Sequence, residues 1–211
     1  MPNYFFVMLA AIQARRKEAV KEEDGDDEID IQPINVYGCG NNNYGRLAQY
    51  FGNTTHSDTF IQCKINNAVH PNVSFLTISC GAGHVLAIST TNQVYSWGKC
   101  HFGQLGHGQE DVDRYLPRII KALVDIPISK IGAQDSSSHA VSMDGKLYSW
   151  GCGYFGALGN GNESTQCLPV EIAMDEPVID IIGGKHHAIV ITGIYMNNIL
   201  IRKKILSFFR K

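Results

Sequence analysis

Residues 151–156 read Gly-Cys-Gly-Tyr-Phe-Gly and satisfy the G-x-G-x-x-G spacing of a dinucleotide-binding loop. That chemistry needs a helix starting at the third glycine, whose N-terminus holds the pyrophosphate. Ala157-Leu158-Gly159-Asn160-Gly161 follows instead and cannot sustain one, and the parallel stretch 98–103 lacks the middle glycine. No lysine follows to make a phosphate loop. Ser136-Ser137-Ser138-His139 sets hydroxyls beside an imidazole, as nucleophilic catalysis requires. Neighbours on a strand point to opposite faces, so a core or edge histidine is the better reading, and His186-His187 divide in the same way. The six cysteines (39, 63, 80, 100, 152 and 167) form no CxxC pair and no zinc-finger spacing with the eight histidines. They read as thiols of a reducing compartment. No catalytic residue, cofactor or metal is expected. Glu110, Asp111 and Asp113 would suit a basic partner; the alternative is solvated loop charge.

Composition excludes little else. The 211 residues are 44% hydrophobic and 18% charged, with a net charge of −2, so nothing overall points to nucleic acid. Residues 4–12 are apolar but too short to span a bilayer, and the basic residues follow the run where a secretory signal would place them before it. A short helix over 4–21 is predicted. Residues 22–30 hold seven acids in nine positions and read as a solvated linker, with docking of a basic partner as the second option. Residues 193–211 carry five basic and no acidic side chains. They could form an amphipathic helix at a membrane surface; truncation or mis-splicing of a longer repeat array is preferred, and membrane attachment is not expected.

The elements that carry these residues come from a phrase written twice. Residues 94–108 read VYSWGKCHFGQLGHG and 147–161 read LYSWGCGYFGALGNG, with a degraded copy, VYGCGNNNYGRLAQY, at 36–50. Self-similarity at a period of about 50 residues marks a copied supersecondary unit. In 128–173, ISKIGA, SSHAVSM, KLYSWG and LPVEIA read as four strands, with Asp144-Gly145 as a two-residue type I′ turn. The same order runs through 73–80, 84–89, 93–98 and 116–123. Four short strands without helical periodicity are the content of one propeller blade. Ala87, Ala140 and Ala188 read as being in register, at crowded positions near an axis. Gly98, Gly103 and Gly106 recur as Gly151, Gly156 and Gly159, which implies recurring left-handed turns. Trp97, Phe102 and Leu105 recur as Trp150, Phe155 and Leu158, and the aromatic rings suit a wedge between adjacent sheets. A structural role is assigned to all twelve.

Cys80–His84, Ala87, Val94–Gly98 and Phe102–Gly106, then Asp144-Gly145, Leu147–Gly151 and Phe155–Gly159, resemble the regulator of chromosome condensation repeat family over about 36–192. The resemblance implies an all-β fold, a partial β-propeller of about three four-stranded blades where the family fold has seven. At about 50 residues per unit, closure needs roughly 350 residues, so a piece of a longer protein is expected. The organisation predicted is an N-terminal helix and acidic linker (1–35), repeats (36–90, 91–143 and 144–192) and a non-repeat tail (193–211) with a C-terminal helix as one option. The function implied is a protein-interaction module acting through loops 99–115, 133–138 and 152–167. The alternative is guanine-nucleotide exchange on a small GTPase, although no wedge-like insertion is evident. The partner would be a protein, a small GTPase or chromatin protein among the choices, with no direct nucleic-acid contact, in cytoplasm or nucleus.

Overall fold

The computed structural model describes residues 9–10, 36–48, 55–63, 74–196 and 199–207. Among these described residues, fourteen strands form four antiparallel sheets in chain order. The first joins β1 (Leu9–Ala10), β2 (Tyr37–Asn41) and β3 (His56–Gln62). The second is β4 (Phe75–Cys80), β5 (His84–Ser89), β6 (Val94–Gly98) and β7 (Arg114–Ile119). The third is β8 (Ile128–Ala133), β9 (Ser137–Ser142), β10 (Leu147–Gly151) and β11 (Gln166–Ile172). The fourth is β12 (Val178–Gly183), β13 (Ala188–Met196) and β14 (Ile199–Ser207).

Both complete sheets keep their strands in sequence order, and β-branched and aromatic residues fill them. Their middle strands are buried on both faces, so alternate side chains serve two different cores. Val85, Ala87, Tyr95 and Trp97 pack with Val36, Ala48 and Cys63, which flank the strands of the first sheet. Leu86, Ile88 and Val94 pack with Ile128, Ala140, Tyr148 and Trp150 of the third. Val141 and Leu147 pack with Val178, Ile181 and Val190 of the fourth. The hydrophobic core is therefore three seams between sheets, one per neighbouring pair.

The β2–β3, β6–β7 and β10–β11 pairings each carry an irregularity, at Gly38/Gly40, Ser96/Gly98 and Ser149/Gly151. Gly98 has φ +102° and Gly151 φ +96°, and a Cβ would lie 2.5 Å from the Gly83 carbonyl oxygen or 2.6 Å from that of Ser136. The chain must turn there so that Lys99 and Cys152 N–H donate to those carbonyls at 2.8 and 2.9 Å. Pro117 and Pro169 lie in the edge strands β7 and β11, within these irregular stretches, where a missing N–H costs no ladder bond.

Several sequence expectations are corrected. The tail from 199 to 207 is a strand, not a helix: it pairs along β13 from Ile189↔Ser207 to Met196↔Ile199. It takes the place beside β13 that β10 takes beside β9, without any copy of the Tyr-Ser-Trp-Gly phrase. Ile199, Ile201 and Ile205 favour extended backbone, and the partner strand supplies its ladder. Within the predicted helix 4–21, Leu9–Ala10 pairs with Gly38 and Tyr37 as a strand, and the rest lies outside the described residues, as does the acidic run 22–30. The hairpin turn at Asp144-Gly145 is not type I′, because only Gly145 has positive φ, at +85°. Bonds Gly145 N→Ser142 O (3.1 Å) and Ser142 N→Lys146 O (2.9 Å) make it a three-residue loop ending in a left-handed residue. Asn92 takes the same place at φ +59°. Ala188 also falls two places early: Ile78↔Ala87 and Ile131↔Ala140 match Ile181↔Val190. The short Gly183–His187 connection sets that register.

Candidate functional site

The two ends of the sheets differ. One end carries the connections from first to second strand (81–83, 134–136 and 184–187) and the long loops from third to fourth (99–113 and 152–165). The other carries short turns at 90–93 and 143–146 and the links between sheets. The repeated phrase runs from the buried third strand out into the long-loop end, so its residues divide between seam and surface.

The seam residues lock each sheet to the loop before it. Trp97 Nε1 donates to the Arg46 carbonyl and Trp150 Nε1 to the Gln104 carbonyl, each at 2.9 Å. Arg46 and Gln104 are the same position in successive copies of the phrase. Both indoles are buried, as are Leu47, Leu105 and Leu158 at another shared position. Gly103 and Gly106 have φ of +68° and +74°, Gly156 and Gly159 of +71° and +69°. The degraded copy keeps this path with Gly45 at +71° and Ala48 at +50°. A Cβ on Gly103 would lie 2.6 Å from Cys167 Cα, and one on Gly106 2.8 Å from Trp150 Nε1. Gly156 has open space around it.

Phe155 departs from the wedge expectation. It sits at φ +60° in a short 3-10 turn (Tyr154–Gly156), and its ring is 61% exposed. Phe102 is half-buried. These rings, with Tyr44, lie over the seams rather than inside them. Tyr44 meets His101 (5.9 Å between centroids), Phe102 meets Tyr154 (5.8 Å) and Phe155 meets His186 (4.9 Å). One aromatic pair thus spans each seam on the long-loop end. The sequence signal was present, since Tyr44, Phe102 and Phe155 share one position and His101 and Tyr154 another.

Polar groups behind this surface are committed to structure. Ser138 Oγ donates to the Gln104 carbonyl (2.7 Å) and bonds His84 Nε2 (2.8 Å), while His139 Nδ1 bonds Ser149 Oγ (2.8 Å). Ser138 and His139 serve opposite faces of β9. Burial pushes His84 and His139 down to about 3, with His139 and then Arg46 adding to the effect on His84. Burial, then Arg118 and Arg114, pushes His107 down to about 4. Burial raises the Cys100 and Cys152 thiols and takes Cys167 to about 11, so these sulfurs stay protonated and poorly nucleophilic. Among the described residues no disulfide forms, no His/Cys/Asp/Glu group could hold a metal, and no helix is long and apolar enough to cross a membrane.

Glu110, Asp111 and Asp113 lie together in the 99–113 loop, with differing roles. Asp113 accepts the Cys100 N–H at 2.8 Å, and Glu110 accepts the Cys167 thiol at 3.5 Å. Asp111 is exposed at φ +53°. A cavity of about 190 Å³ opens between the loops of the second, third and fourth sheets. Phe102, Tyr154, Asp135, Cys152, Lys185 and His186 are among its lining residues.

Family models described as the regulator of chromosome condensation (RCC1) repeat match residues 75–104, 91–141 and 144–191. The chain belongs to the regulator of chromosome condensation repeat family. Among its RCC1-repeat relatives, the ultraviolet-B receptor UVR8 of Arabidopsis thaliana is 31% identical over 88% of this chain and 39% of its own length. The E3 ubiquitin-protein ligase HERC2 of Homo sapiens is 32% identical over 74% of this chain and 3% of its own. Human WBSCR16 superposes with TM-score 0.64 at 23% identity, over 75% of this chain and 40% of that one. Yeast RCC1 (Prp20), in its complex with Kap60, gives 0.62 at 21%, over 75% and 37%. The four sheets are thus blades of an RCC1-type β-propeller, and the chain spans well under half the length of these proteins. Two of these matches begin at 91 and 144, just ahead of a third strand, so those two repeats run from one blade into the next.

Proposed function

We propose that this RCC1-repeat chain is a protein-interaction module that binds a partner protein through its long-loop face. The observation that carries the reading is the division of the repeated phrase. Its tryptophans, leucines and glycines are consumed in the seams, while Tyr154 and Phe155 are held 54% and 61% exposed on that rigid frame. Exposed aromatic residues on a fixed scaffold are the usual anchors of protein interfaces. The variety of the relatives, a receptor and a ubiquitin ligase among them, supports a binding module more than one chemistry.

The proposed site comprises loops 99–115, 133–138 and 152–167, with Glu110 and Asp111 at its rim. A small GTPase or chromatin protein is the partner class proposed, in nucleus or cytoplasm. Prp20p of Saccharomyces cerevisiae, a protein of the same fold, has binding properties toward Gsp1p and histones. Guanine-nucleotide exchange rests on the family resemblance alone, and a nucleotide-release assay on a small GTPase tests it. For the binding reading, a photo-reactive phenylalanine is placed at Tyr154, at Phe155, or at Met143 on the opposite face. Expected are discrete protein adducts from the first two positions and none from the third. Adducts from Met143 alone would sink the long-loop reading.

A further inference from the structure

We infer that the cavity among the loops of the second, third and fourth blades is a socket for an arginine side chain of the partner protein. The inference rests on the interaction-module reading and specifies what the partner presents.

The repeat itself supplies the argument. At the first seam the chain fills its own aromatic position: the Arg46 guanidinium lies 5.4 Å and the Lys99 ammonium 5.3 Å from the centroid of the Tyr44 ring. At the second seam Phe102 stands where Tyr44 stood and Tyr154 where His101 stood. The positions of Arg46 and Lys99 are now Gln104 and Cys152. Among the described residues no cation stacks on Phe102 or Tyr154. Cys152, at the position of Lys99, lines the cavity. A face of an aromatic ring attracts a cation within about 6 Å, guanidinium above all.

The second seam has also gained a carboxylate. Asp135 lines the cavity where the second blade has Ala82. Its neighbour Ser136 gives it a hydrogen bond of 3.5 Å at most. Aromatic walls, one acid and Ser137 at the lining form a donor-seeking pocket. At about 190 Å³ it suits one long side chain rather than a drug-sized ligand. Glu110 and Asp111 stand exposed on the flanking loop and favour approach of a basic segment. Lys185 and His186, at the fourth-blade side of the cavity, make the opposite choice, an acidic side chain, the natural competitor.

The test is an NMR titration of the 211-residue chain with acetyl-Gly-Arg-Gly-amide. Matched peptides carry citrulline or glutamate in place of arginine. Expected are saturating shifts at the amides of Phe102, Asp135 and Tyr154. Binding should weaken about fivefold or more with citrulline and with Asp135→Asn. Lys185→Gln should leave it unchanged or tighter. Cys152→Lys, which restores the first seam's own cation, should abolish binding while the rest of the spectrum is retained. Equal binding of the citrulline or glutamate peptide, loss on Lys185→Gln, or no shifts at all would overturn the socket. Photo-adducts that persist at Tyr154 in Asp135→Asn would show that the binding face stands and the arginine socket alone fails.

Discussion

The Gln104 carbonyl takes the Trp150 indole at 2.9 Å and the Ser138 hydroxyl at 2.7 Å, deep in the seam between two blades. Such groups are costly to disturb because water cannot replace the lost partner. Gly106→Ala puts a methyl 2.8 Å from the same indole and forces a side chain into φ +74°. Urea unfolding should show a loss of about 1–3 kcal/mol. The two buried histidines give a pH signature. His84 and His139 are held down to about 3 in the fold against 6.5 in a free side chain. The unfolded chain therefore binds protons that the fold refuses, and stability is full above pH 6.5 and falls below it. By pH 5 the loss is about 2 kcal/mol for each histidine, at 1.36 kcal/mol per pH unit. Thermal melts from pH 7.5 to 5 check this, and a flat profile would place both imidazoles in water. At this scale the glycines and tryptophans were legible because they recur. Gln104 was not, since the group that matters is its backbone oxygen, which any residue type would supply.

Strands four to eleven could be read from β-branched and aromatic residues between turn signals, except that the strand expected over 116–123 runs Arg114–Ile119 and gives way to a 3-10 turn at Lys121–Leu123. The turn type could not, because Asp-Gly is compatible with two loops and the pairing Ser142 N→Lys146 O decides between them. Nor could β14, whose basic and apolar residues carry no copy of the phrase. Its extended form comes from the ladder that β13 offers, a tertiary effect that overrides local pattern. Hydrogen exchange should find slow amides across Ile199–Ser207, and Ile205→Pro should speed exchange there and along Ile189–Thr192. Fast exchange in the unaltered chain, with a helical far-ultraviolet spectrum, would restore the helix.

At the scale of the molecule, stability is a sum over seams and binding a property of the face above them. The three hydrophobic clusters share no residue, so a change in one seam should leave distant seams nearly unaltered. The repeat made the propeller class legible, and the family match shows it. The four-sheet count was hidden because the outer sheets recruit β1 and β14 from segments outside the repeats. The aromatic row recurs in the sequence, but its exposure was not legible, because one phrase encodes both core and surface and spacing alone does not say where the division falls. One pair of variants tests that division most directly: urea unfolding of Trp150→Phe beside Phe155→Ser. The buried indole should cost about 1–3 kcal/mol and the exposed ring less than about 0.5 kcal/mol. A larger loss at Phe155 than at Trp150 would contradict the account.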